Sequence, residues 1–98
     1  MKMEQIKEIL GQLPKVSPTL KACKSGSINL IINLPEDNNI GFDVKYSFNG
    51  LQVTKFKREP YKTYDLSTGY EKLTVKQRSY IYQYLIKTYL PEYDYLIN

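Results

Sequence analysis

The run Phe42–Phe56, FDVKYSFNGLQVTKF, decides the fold. Asn49-Gly50 stands between two stretches of strand-favouring residues. A two-residue type I′ turn needs positive φ at both central positions, and Asn-Gly tolerates that best. With that turn, Phe48 faces Leu51, Tyr46 faces Val53 and Val44 faces Lys55. Phe42, Val44, Tyr46 and Phe48 then share one face, and Asp43, Lys45 and Ser47 the other. After Val53 the apolar parity slips to Phe56, which predicts a bulge near Thr54 or Lys55.

Upstream, Ser27–Leu34 alternates Ile28, Leu30, Ile32 and Leu34 against Asn29, Ile31 and Asn33, the pattern of a half-buried strand. Residues 35–39, PEDNN, form a polar turn. Met3–Leu13 places Met3, Ile6, Leu10 and Leu13 at helical spacing with Ile9 beside them, and Pro14 ends that helix. Between them, Lys15–Ser27 reads either as a short edge strand or as an anchored loop. Downstream, Arg58–Lys72 reads as a long loop packed by its own rings. Thr74–Leu90 is a second helix, with Thr74 and Gln77 placed for a capping box and Pro91 as its stop. Its inner face holds Ile81, Tyr82, Leu85, Thr88 and Tyr89. The expected architecture is α+β: a single α-β-β-β-α domain over residues 1–98, an antiparallel meander sheet with both helices packed on one face. One core is expected from Ile6, Leu10, Ile28, Leu30, Ile32, Phe42, Val44, Tyr46, Phe48, Leu51, Val53, Ile81 and Leu85.

Composition narrows the chemistry. The 98 residues include no histidine, no tryptophan, one cysteine and 10 tyrosines. Without histidine and with Cys23 alone, His-based triads and the usual Cys/His zinc sites are excluded. The 5 glycines are too scattered for a phosphate-binding loop. No cofactor and no metal is expected. A lone cysteine suits a reducing compartment. The opening MKMEQIKEIL carries charges inside its apolar pattern, unlike a secretory leader. No run approaches the roughly twenty apolar residues of a membrane span. The expectation is therefore a cytoplasmic protein that does not engage a membrane. The abundance of Lys, Ile, Asn and Tyr matches A/T-rich codons, as in low-GC bacteria and their phages and plasmids.

The net charge of +4 is unevenly spread. Lysines and acids balance up to Asp43. The excess lies between Val44 and Lys87, where aromatic rings interleave the cations. Lys55, Lys57, Arg58, Lys62, Lys72, Lys76 and Arg78 are candidate phosphate contacts, with bases stacking on neighbouring rings. The α-β-β-β-α order resembles the double-stranded-RNA-binding domain, and FDVKYSFNGLQV resembles its central hairpin. That resemblance implies phosphate contacts near the start of the second helix, where Lys72, Lys76 and Arg78 lie. The chain departs from it in the acidic PEDNN loop, the bulky tyrosine-rich last helix and the long segment before that helix. The bland alternative is that these lysines solubilise a hairpin edge.

Two further readings concern acids and tyrosines. Pro35-Glu36-Asp37 followed by Asp43-Val44-Lys45 resembles the acid pair and D-x-K of metal-dependent PD-(D/E)xK nucleases. The resemblance implies Mg²⁺ on the two carboxylates and a lysine beside the attacking water. Alternation with Phe42 and Val44 equally makes Asp43 and Lys45 a solvated strand face. Tyr46, Tyr82 and Tyr89 suit the core. Exposed tyrosines bring large contact area at low entropic cost, so Tyr61, Tyr64, Tyr93 and Tyr95 are the candidate anchors for a protein partner. The expected function is protein binding without catalysis, as by an inhibitor or adaptor of a mobile element. Nucleic-acid binding is the alternative and a nuclease the remote one; a homodimer is compatible with the first.

Overall fold

The computed structural model describes residues 2–24, 26–48, 50–60 and 72–93, and the main chain of 62–67. Helix α1 (Met3–Gly11) and helix α2 (Val75–Tyr89) enclose five strands: β1 (Thr19–Lys24), β2 (Ser27–Leu34), β3 (Asp37–Ser47), β4 (Gly50–Glu59) and β5 (Lys62–Ser67). They form one antiparallel meander in the order β1-β2-β3-β4-β5. The α+β class and meander sheet are as the sequence leads one to expect. The strand count is five rather than three, because the uncertain Lys15–Ser27 segment supplies β1, and Arg58–Lys72, expected as a long loop, instead supplies the end of β4 and β5.

Each added strand hid for a physical reason. In β1 the register shifts between Leu20 and Ala22, so Leu20 pairs with Leu30 and Cys23 with Ile28. Leu20 and Cys23 both pack on the core although they are three residues apart. The extra residue of the bulge erases the period of two that identifies a strand. β5, KTYDLS, offers only the short Tyr64/Leu66 alternation; its main chain continues the β4 ladder from Glu59↔Lys62 to Thr54↔Ser67.

The central hairpin differs from expectation in register. Val44 pairs with Val53, Tyr46 with Leu51 and Ser47 with Gly50. Compared with the Asn-Gly turn, the pairing has moved by two residues. An even shift keeps every side chain on its own face, so the face assignment survives. Phe48 now stands at the tip. Among the described residues only Gly26 and Gly50 have positive φ, and Gly50 sits at 149°. Phe48 therefore cannot be the first residue of a type I′ pair, and the predicted turn is corrected; Asn49 itself lies outside the described residues. The predicted bulge near Thr54 is absent. The ladder runs unbroken from Ile40↔Lys57 to Ser47↔Gly50, and Phe56 points to the opposite face.

The core lies between one face of the sheet and both helices. Ile28, Leu30, Ile32, Val44, Tyr46, Leu51 and Val53 meet Ile6 and Leu10 of α1 and Ile81, Leu85 and Ile86 of α2. Phe42 is only partly buried. Phe48, expected in the core, is 75% exposed, because the two-residue slip lifts it beyond the last sheet pair. Thr74 caps α2 as predicted: its Oγ1 accepts from the Gln77 N–H at 3.1 Å, and its own N–H donates to Gln77 Oε1 at 3.0 Å. Among the described residues no helix is long and apolar enough to cross a membrane.

Candidate functional site

The seven candidate cations do not form one track. Arg78 lies on α2 beside the tip of the β3–β4 hairpin, its guanidinium 4.8 Å from the centre of the Phe48 ring. Lys72 and Lys76 flank the same helix start. Lys55, Lys57 and Arg58 lie in the second half of β4, about 16–26 Å of extended chain from Gly50 at the hairpin tip. Lys62 begins β5, which is described by its main chain alone.

The β4 cations are also engaged within the chain. Arg58 stacks on Phe56, 4.4 Å from the ring centre. Its Nη1 donates to the Asn38 carbonyl at 3.3 Å and to Asn33 Oδ1 at 3.5 Å. Lys57 Nζ is 3.6 Å from Glu59, an exposed pair of little energetic weight. Lys55 Nζ lies 5.9 Å from the centre of the Phe42 ring.

The acids resembling a nuclease site are separated. Asp37 Oδ1 accepts from the Asn39 N–H at 3.0 Å, a local turn contact. Asp43 follows six residues later on the same strand, opposite Ile31 where Asp37 is opposite Leu34, three positions or about 10 Å apart along β2. It faces the open side of the sheet between Ile31 and Thr54. Among the described residues no three of His, Cys, Asp and Glu come together to hold a metal ion. The Cys23 thiol is pushed up by burial, the opposite of what a nucleophilic thiolate needs.

Of the four tyrosine anchors, Tyr61 and Tyr95 lie outside the described residues, and only the main chain of Tyr64 is described, paired with Lys57. Tyr93 is half-buried. Its N–H donates to the Leu90 carbonyl at 2.8 Å, and it packs on the core at a cleft between the α1–β1 connection and the end of α2. The structure describes the side chain of Tyr93 alone among the four.

The structure gathers a different set. Among the described residues, Phe48 and Val75 are the large hydrophobics that stand exposed, at 75% and 73%. Arg78 touches Phe48 and lies three residues from Val75, a neighbouring position on a helix surface. Hairpin tip and helix start thus form one patch, apolar–cation–apolar. Behind it, burial raises the Tyr46 hydroxyl pKa; Arg78 opposes that rise and Tyr82 adds to it. The patch continues into a groove of about 460 Å³ between the helices, lined by Met3, Lys7, Val75, Lys76, Tyr80 and neighbours. Sequence reading missed this surface because it placed Phe48 in the core. The signal present in the sequence was the Thr74 cap, which puts Val75 at the exposed first helical position.

Compared with family models, with curated proteins and with solved structures, the chain shows no significant match.

Proposed function

We propose that this chain is a small protein-binding module without catalysis of its own, and that it makes contact through the hairpin tip and the first turns of α2. One observation carries this reading. Among the described residues Phe48 and Val75 are the exposed large hydrophobics, and Arg78 stacks on the first and lies three positions from the second on α2. An exposed aromatic ring beside arginine is the chemistry enriched at protein contacts. A continuous phosphate track is not supported, since Lys55, Lys57 and Arg58 lie about 16–26 Å of extended chain down β4 from the hairpin tip beside Arg78, and Arg58 and Lys57 are held by Phe56, Asn33, Asn38 and Glu59. Composition suits an inhibitor or adaptor of a phage or other mobile element that acts on cytoplasmic host machinery.

The test is affinity capture from an extract of the source organism, with and without nuclease, using the native chain and a Phe48→Ser/Val75→Lys double variant. A protein retained after nuclease and lost in the double variant is the expected result. Retention that vanishes with nuclease, or that ignores both substitutions, overturns the reading.

A further inference from the structure

α1 and α2 run side by side in the same direction. Lys7 Nζ sits 5.5 Å from the centre of the Tyr80 ring. Three residues further along α1 and four along α2, the Tyr84 hydroxyl donates to the Leu10 carbonyl at 3.4 Å. Met3 shares its groove with Val75 and Lys76. Both helices therefore begin at one end of the molecule, and the groove between them opens beside the exposed Val75.

The charge of this surface is one-sided. α2 carries Lys76, Arg78 and Lys87 and has no Asp or Glu anywhere in its 15 residues. Acids are favoured in the first turn of a helix and cations in the last, by the dipole. α2 has no acid in its first turn, and Lys76 and Arg78 stand where positive charge costs stability. None of the described residues lining the groove is acidic; Glu4 and Glu8 of α1 lie outside it. A local rule broken in this way is expected at functional surfaces. The apolar part is aliphatic, Val75 with Met3, while the Tyr80 ring is already flanked by Lys7 and by Tyr84, whose ring centre is 6.3 Å away. Aliphatic side chains offer no platform for stacking bases, but they seat an apolar side chain well.

We infer that the α1–α2 groove binds an acidic segment of a partner protein, with an apolar side chain on Val75 and carboxylates on Lys7 and Lys76. This rests on the protein-binding reading and adds the partner's chemistry to it.

The experiment is an NMR titration of the ¹⁵N-labelled chain with a synthetic amphipathic peptide of Leu and Glu. Parallel arms use the same peptide with Ser for Leu, the same with Lys for Glu, and oligo(dT). The expected result is shifts centred on Lys7, Val75, Lys76 and Tyr80 with the Leu/Glu peptide only. A Lys7→Glu/Lys76→Glu variant, checked by circular dichroism to be folded, should bind it about tenfold more weakly, since like charges face each other. Equal binding of the Ser peptide, shifts elsewhere, or tighter binding of oligo(dT) to the same residues overturns the inference. Capture in extract separates the two claims. A partner lost in Phe48→Ser/Val75→Lys but indifferent to the charge reversals keeps protein binding and defeats the acidic segment. A partner indifferent to both sets defeats both.

Discussion

The Phe56 ring lies so close over Gly41 that a Cβ at position 41 would come within 2.6 Å of its Cζ. The same Cβ would meet the Ile32 carbonyl oxygen at 2.8 Å and Asn33 Oδ1 at 2.9 Å. The absence of a side chain at Gly41 is what lets Phe56 lie down on the sheet face that no helix covers, with Arg58 above it. Phe56 is consequently only 6% exposed.

Gly41→Ala should therefore destabilise the protein by about 1–3 kcal/mol, the usual cost of overpacking. Trimming the ring with Phe56→Leu should not restore the loss, because the Ile32 carbonyl belongs to the sheet and cannot retreat. Urea unfolding of the single and double variants decides this. Full rescue would show that the ring alone resists the Cβ.

Leu30 has 0% exposure at the centre of β2. Leu30→Ala should cost about 2–5 kcal/mol as a core cavity. A change below about 0.5 kcal/mol, the range of surface substitutions, would mean that this face of the sheet is not the one under the helices.

The hairpin tip separates stability from binding. Gly50 has φ 149°, which a β-branched residue resists, so Gly50→Val should cost about 1–3 kcal/mol. Phe48→Ser, two residues away, removes an exposed ring whose cation–π contact is worth about 0.5–1 kcal/mol. It should leave the melting temperature nearly unchanged while abolishing partner capture. A large thermal loss in Phe48→Ser would reassign the ring to the core.

Tyr89 gives a pH dependence. Its hydroxyl is buried with no hydrogen-bond partner, and its pKa is raised, first by burial and then by Tyr84. The unfolded chain releases this proton near the ordinary value of about 10, while the folded chain holds it. The contribution is fully present below about pH 10 and falls as pH rises above it. Tyr89→Phe should flatten that alkaline loss. It should be neutral or stabilising at pH 7, since it removes an unpaired buried group. Stability profiles of both chains between pH 7 and 11 measure the difference, and identical slopes would refute the assignment.

What the sequence by itself determined was local. Pro14, the Thr74–Gln77 box and Pro91 bound the helices, and alternation in Ser27–Leu34 and Phe42–Tyr46 assigned the buried face. The absence of histidine removed several chemistries. Tertiary structure decided the rest. Alternation has a period of two, so it cannot tell the Asn-Gly register from the observed one two residues away, and the fate of Phe48 hung on that slip. A bulge at Lys21 hid β1, and β5, whose apolar alternation is limited to Tyr64 and Leu66, was revealed by its pairing with β4. The candidate site was illegible for the same reason. Lys7, Phe48 and the Val75–Arg78 turn are far apart in the chain and are brought onto one surface only when α1, the hairpin tip and α2 pack together.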